Sequence, residues 1–220
     1  RKGEILGISG LMGSGRTELA RAIFGADTID EGEVYLNGKK LDINNPSDAI
    51  SEGIGYLSED RKRDGLALEL DVENNIILAS IKDFANKFGV IQRSKAIKES
   101  EKQVKNLRVR TPSISQKVKN LSGGNQQKVI IGKWLCKDMD VLIFDEPTRG
   151  IDVGAKFEVY TLMNDLARSG VGIIMISSEL PEILGMSDRV LVMNEGKIAA
   201  ELSIEEADQE TIMFYATGGK

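Results

Sequence analysis

Histidine is absent from all 220 residues. No imidazole can serve as general base or metal ligand, and a Ser-His-Asp triad is excluded. Cysteine occurs once, at position 136. The chain can therefore close no internal disulfide and build no cysteine-rich zinc site. Within WLC, Cys136 reads as a small core residue, and a reducing compartment fits such usage. No apolar run approaches the ~20 residues that span a bilayer, and no signal peptide opens the chain. A membrane role would have to pass through a partner. Methionine does not stand first: the chain begins at Arg1, directly in a strand-like segment, and reads as a piece of something longer. Positive charge is not in excess either. Lys and Arg total 29 against 34 Asp and Glu, a net charge of -5. That balance lacks the basic stripe of a general nucleic-acid binder, so no nucleic-acid partner is expected.

What remains is the make-up of an ordinary folded protein, 41% hydrophobic and 29% charged, long enough for one sizeable α/β domain or one domain with a small insert. Four near-continuous aliphatic runs read as buried parallel strands: EILGIS (4–9), DVLIFD (140–145), GIIMISS (172–178) and RVLVMN (189–194). Helical patterns lie between them. RTELARAIF follows the first strand, GNQQKVIIGKWLC precedes the second, and AKFEVYTLMNDLAR follows the second, with Asp152 as its N-cap and Gly170 past its end. The alternation predicts a doubly wound, mostly parallel sheet. Residues 31–41 predict a small antiparallel hairpin turning at Asn37-Gly38. Residues 67 to about 120 predict a helical insert. Its long charged helix, SKAIKESEKQVKNLRV, presents a solvated face and stops at Thr111-Pro112.

Three motifs carry chemistry. GLMGSGRT comprises Gly10, Leu11, Met12, Gly13, Ser14, Gly15, Arg16 and Thr17, and lies between a predicted strand and helix. Glycines there let successive N–H groups point at phosphate oxygens, the helix N-terminus adds its dipole, and Thr17 can place a hydroxyl on Mg²⁺. VLIFDE ends a buried strand in two carboxylates, a costly placement without a task. Asp145 can hold the Mg²⁺ shell, and Glu146 can take a proton from an attacking water. In LSGGNQQK two glycines open a helix with no strand before it. Each motif alone has an ordinary reading as a strand–helix turn, a polar strand end or a helix cap.

Together and in this order, they resemble the nucleotide-binding domain of ABC transporters. The resemblance covers essentially the whole chain. The family signature LSGGQ is matched by Leu121, Ser122, Gly123, Gly124 and, past an inserted Asn125, Gln126. The resemblance implies a P-loop NTPase of ABC type with a mostly parallel core sheet, a small antiparallel β region and a helical insert. It implies one such domain over residues 1–220 lacking its first strands, with ATP and Mg²⁺ as cofactors. It also implies that two domains pack head to tail, each signature meeting an ATP held by the other's phosphate loop, so a lone copy should be a poor ATPase. The stretches SEDRKRDGL (58–66), LSGGNQQK and DEPTRGIDVGAK (145–156) are most similar to the second half of duplicated ATPases in bacterial sugar importers of the ribose, galactose and xylose type.

That branch implies further partners. They are an N-terminal ABC half on the same polypeptide, transmembrane permease subunits and, indirectly, a periplasmic or extracellular sugar-binding protein. The expected location is peripheral, on the cytoplasmic face of the bacterial inner or plasma membrane. The sugar itself is not legible. The family stacks adenine on an aromatic residue upstream of the phosphate loop, a segment that falls before Arg1; losing the stack weakens binding by ~1–3 kcal/mol. Read without the family, the run EDRKRDG is a solvated loop. In the family it follows the nucleotide-sensing loop and faces the membrane partner.

Three departures qualify the catalysis. Arg16 stands where the family's phosphate loop has Lys, and a guanidinium binds as a flat fork rather than a point charge. Glu59 stands for the glutamine that contacts Mg²⁺ and the attacking water. Ser178 stands for the switch histidine. Losing one transition-state donor typically costs about 10²–10³ in rate, so the chain's own site is expected to be slow, with Glu59, Glu146 and Ser178 as its catalytic candidates and Thr17, Asp145 and Glu59 around the metal. A division of labour follows: this half binds ATP and lends its signature to the other half's site. A purely regulatory, non-hydrolysing half is the alternative. A non-transport ABC ATPase fits less well: the insert is too short for a repair-type coiled coil, and the acidic balance does not favour a translation factor. A P-loop kinase would have no use for LSGGNQ.

Overall fold

The computed structural model describes residues 1–219. In chain order its elements are β1 (Ile5–Gly10), α1 (Arg16–Ile23), β2 (Val34–Leu36), β3 (Lys39–Leu41), α2 (Pro46–Ser51), β4 (Ile54–Leu57), α3 (Val72–Ile77), α4 (Arg93–Asn106), α5 (Gly123–Leu135), β5 (Val141–Asp145), α6 (Val153–Arg168), β6 (Gly172–Ile176), α7 (Leu180–Met186), β7 (Arg189–Asn194), β8 (Lys197–Ser203) and α8 (Gln209–Ala216). The chain divides into two compact units. One comprises Arg1–Tyr56, Asp140–Pro147 and the chain from Met163 onward; the other comprises Leu57–Met139 and Thr148–Leu162.

The first unit is built on a six-stranded sheet in the order β4-β5-β6-β1-β7-β8. β5, β6, β1 and β7 run parallel, with Ile143 opposite Ile174, Ile5 opposite Ile173 and Ile8 opposite Leu191. Their continuous aliphatic sequences follow from burial: Ile143, Phe144, Met175 and Ile176 are all essentially inaccessible. β8 pairs antiparallel with β7 and forms an edge whose side chains are mostly exposed. It was not expected, and neither were β4 and α8. The expected hairpin is present as β2 and β3, and Asn37 and Gly38 both take positive φ (51° and 78°), as a two-residue turn matched to strand twist requires.

The second unit is helical. α5 lies at its centre, with Gly124 and every residue from Gln126 to Trp134 buried. α4 buries only Ala96, Ser100 and Gln103, spaced along one face, and shows its charges to solvent as expected. The sequence reading placed the end of α4 at Thr111-Pro112, and this is corrected: the helix stops at Asn106. Arg108 takes φ 51°, the Val109 N–H reaches the Val104 carbonyl (2.9 Å) and the Arg108 N–H reaches that of Lys105 (3.2 Å). This is the closure usually given to glycine. A short 3₁₀ run, Leu78–Phe84, follows α3. The charged run forms a single π-type turn, Arg61–Gly65, opened by Asp60, whose Oδ1 accepts from the N–H groups of Lys62 and Arg63.

α6 begins and ends as its sequence predicts. Asp152 Oδ1 accepts from the Ala155 N–H at 3.0 Å. Gly170 (φ 97°) closes the other end, its N–H on the Ala167 carbonyl and that of Val171 on the Leu166 carbonyl. Cys136 is half-buried rather than fully inside, and burial pushes its thiol up to about 12. Among the described residues no helix is long and apolar enough to cross a membrane.

Candidate functional site: a phosphate loop and a signature helix

In the sheet-bearing unit the loop from Gly10 to Thr17 joins β1 to α1. Gly10 needs its lack of a side chain: a Cβ there would stand 2.4 Å from the Met193 carbonyl and 2.6 Å from Ser14 Oγ. Gly15, at φ 97°, turns the chain into α1. The Ser14 N–H donates to the Leu11 carbonyl, and the Ser14 carbonyl accepts from Gly196, which pins the loop from both sides. Ser14 Oγ is buried with no hydrogen-bond partner, an unspent polar group inside the cradle. Met12 at the tip is 98% exposed.

β5 delivers two carboxylates to this loop. Asp145 is 1% exposed. Its Oδ1 accepts from Thr17 Oγ1 at 3.3 Å and its Oδ2 from the Tyr56 hydroxyl at 2.9 Å. Burial raises its pKa, while Tyr56, Thr17 and the Arg16 charge pull the other way. Glu146 sits at φ 48°, with its N–H on the Ile176 carbonyl (2.9 Å) and its Oε2 accepting from Ser178 Oγ (3.1 Å). Burial raises its pKa too, opposed by the Ser178 hydrogen bonds and by Arg16. A carboxyl held toward neutrality is suited to taking and returning a proton. Arg16 is not free: its Nη1 donates to the Ser177 carbonyl at 2.8 Å.

The residues fit the groups that the motifs imply. A hydroxyl beside a carboxylate is a hard-oxygen pair of the kind Mg²⁺ takes, with phosphate and water completing its shell. Among the described residues no cluster of three or more acidic or cysteine side chains forms a cage of its own. An unpartnered buried Ser14 Oγ amid loop N–H groups suits a phosphate.

In the helical unit, Ser122 precedes α5 without capping it through its side chain. Its Oγ instead accepts from Asn125 Nδ2 (2.9 Å), and Asn125 Oδ1 accepts from the Arg110 N–H (2.7 Å). Asn125, the third residue of α5, thus ties Ser122 to the Arg110 backbone. Gln126 is buried, its Nε2 on the Val118 carbonyl. Gly123 and Gly124 are both crowded. A Cβ on Gly123 would meet the Arg61 guanidinium at 2.8 Å, and one on Gly124 would meet Ala155 Cβ at 2.7 Å. Glu59 pairs with Arg149.

The structure therefore brings Gly10–Thr17, Asp145, Glu146 and Ser178 together in one unit, and Ser122–Gln126 and Glu59 lie in the other. Sequence reasoning missed Tyr56, although a buried tyrosine hydroxyl generally seeks a partner. It also missed Arg61, which read as one charge in a solvated run.

A glycine-cradled loop between a buried strand and a helix, backed by Asp145 and Thr17, defines a phosphate-loop nucleotide-binding domain. Comparison with known proteins narrows the class. The family model described as "ABC transporter" matches residues 1–149. The chain belongs to the ABC transporter family. It is 66% identical, over its whole length and 44% of the relative's, to the xylose import ATP-binding protein XylG of Thermoanaerobacter pseudethanolicus. It is 56% identical, over 98% of its length and 43% of the relative's, to the ribose import ATP-binding protein RbsA of Clostridium tetani. The chain thus spans less than half the length of these curated relatives. In fold it is similar to a nucleotide-free ATP-binding cassette from an ABC transporter, with a TM-score of 0.82 at 24% identity, covering 98% of this chain and 88% of that one.

Proposed function

We propose that this chain is the C-terminal ATP-binding half of a bacterial sugar importer, which binds and slowly hydrolyses Mg-ATP and lends its signature to a second ABC domain. The observation that carries the reading is the placement of Asp145 on Thr17 and of Glu146 on Ser178 behind the glycine loop. The names of the relatives support the sugar class, and their greater length supports a second ABC half on the same polypeptide.

Each residue has a role in this reading. The loop N–H groups, with Arg16, bind the phosphates. Thr17 and Asp145 would hold the metal, and Tyr56 keeps the buried Asp145 oxygen satisfied. Bound Mg²⁺ would supply charge neutralisation at the phosphate oxygens. Glu146 takes the proton of the attacking water, and Ser178 orients Glu146 by donating to it. Glu59, in place of the family glutamine, keeps its carboxylate on Arg149. Ser122, Gly123 and Gly124 offer a hydroxyl and helix-terminal N–H groups to the γ-phosphate of the opposite domain, with Asn125 and Gln126 holding them. The assembly is peripheral, on the cytoplasmic face of the membrane, against permease subunits fed by an external sugar-binding protein.

The test is a single-turnover assay of the chain in excess over labelled Mg-ATP, with Glu146→Gln alongside. Phosphate release that the substitution abolishes supports a slow but working site. Binding without release, when the second ABC half is present to lend its signature, turns the assignment to a regulatory half that only holds nucleotide, and no binding removes the proposal altogether.

A further inference from the structure

The nucleotide chemistry leaves the charged turn Arg61–Gly65 unused. Its first residue is placed with care. Arg61 Nη1 donates to the Arg149 carbonyl at 2.8 Å and Nη2 to the Gly150 carbonyl at 3.2 Å. The same guanidinium packs against Gly123, where a Cβ would stand 2.8 Å from Nη2 and 3.2 Å from the Gly150 carbonyl. One planar fork therefore touches two successive carbonyls of the loop before α6 and the first residue of α5. A lysine has no such fork. Gly150 has φ 67°, and Gly123 has no side chain to displace the guanidinium, so both glycines suit the contact.

The far end of the turn is also fastened. Lys133, buried on α5, donates through Nζ to the Gly65 carbonyl at 2.9 Å. A Cβ on Gly65 would lie 2.9 Å from Ile130 Cδ1, also on α5. Between these two fastenings Lys62 and Arg63 face solvent. The turn is thus bolted to the signature helix at both ends.

We infer that Arg61 is a positioning residue for the signature: its fork holds the 149–150 carbonyls and the opening turn of α5 in one arrangement, and so fixes the direction in which the Gly123 and Gly124 N–H groups point. The inference rests on the reading of Ser122–Gly124 as a phosphate contact made in trans. Asp60 alone separates Glu59 from the turn that carries Arg61.

The test uses the full-length polypeptide with Arg61→Ala and Arg61→Lys. Nucleotide affinity, steady-state ATP turnover and amide hydrogen exchange are compared with the unsubstituted protein. Both variants should bind nucleotide within about twofold of the parent, because the substitution leaves residues 10–17 unchanged, and should lose about tenfold or more in kcat with little change in KM. Exchange at residues 123–126 and 149–151 should quicken about tenfold, while that of β1, β5 and β6 holds. Unchanged exchange at those two segments overturns the inference, and so does full rescue by Arg61→Lys, since a point charge would then suffice. If the unsubstituted polypeptide itself shows no ATP turnover, the functional reading fails, and the exchange comparison still decides whether Arg61 positions the helix.

Discussion

Replacing Gly124 by alanine tests the packing of the signature helix. The new Cβ would start 2.7 Å from Ala155 Cβ, the first turn of α5 against the first turn of α6. Carbon atoms settle at about 3.5–4.0 Å, so the two turns must part by roughly 1 Å. Overpacking on that scale costs about 1–3 kcal/mol. Alanine's better helix propensity returns at most about 1 kcal/mol. The net loss, from nothing to about 3 kcal/mol, lowers the melting midpoint by up to about 12 °C for a chain of this size. Ala155→Gly removes the methyl group in the way. In the double variant the methyl group changes sides: α5 gains what α6 loses, and the midpoint should return to within about 2 °C of the parent. Scanning calorimetry on the parent, both single variants and the double variant measures this, with ATP-dependent pairing followed in parallel. A Gly124→Ala protein more stable than the parent, or a destabilised one that Ala155→Gly fails to restore, refutes the packing argument. Restored stability with pairing still lost would show that the phosphate itself needs glycine at 124.

Tyr56→Phe strips a donor from the buried Asp145 Oδ2. The loss should be about 1.5–3 kcal/mol in urea unfolding at neutral pH, and an unchanged midpoint would mean the hydroxyl is dispensable. Ser178→Ala removes a hydrogen bond that opposes the burial-driven rise of Glu146, so the acid limb of the single-turnover pH profile should move to higher pH; movement the other way counts against Glu146 as the base. Glu4 is held at about 2, below its ordinary 4.5, chiefly by the Arg189 guanidinium beside it. Because the folded value is the lower one, its stabilisation is fully present above 4.5 and is lost as pH falls toward about 2. Arg189→Met should therefore cost about 2–3 kcal/mol at pH 7, with the difference from the parent shrinking through that acid range. A difference that stays constant with pH would remove the ion pair from the account.

The sequence announces what is fully buried and what is punctuated. β1, β5, β6 and β7 could be read because both their faces are covered, which leaves unbroken aliphatic runs. Asn37-Gly38 and Gly170 mark turns whose backbone only a few residues accept. β8 was hidden because an exposed edge strand such as KIAAELS keeps only a weak alternation. β4 was hidden because the four residues IGYL, one of them glycine, are too few to show a period. The end of α4 went astray because Arg108 takes a conformation that sequence reading assigns to glycine, so the next proline drew the boundary instead. At the site, the glycines and the Asp145-Glu146 pair were legible, since their cost elsewhere would be high. Tyr56 and Arg61 act through partners 89 and 88 residues or more distant in sequence, and no local pattern records such a partner.

The left-handed backbone at Glu146 has a consequence for what that position tolerates. A residue with a β-carbon pays about 1–2 kcal/mol to hold that conformation, and glycine pays almost nothing. Glycine at 146 would relax the turn and abolish the base in one step, whereas glutamine keeps the strain and removes only the proton acceptor. Position 146 is thus a point where folding and chemistry pull in opposite directions. If Glu146 is the base, Glu146→Gln and Glu146→Gly should both stop hydrolysis, and the glycine variant alone should gain stability.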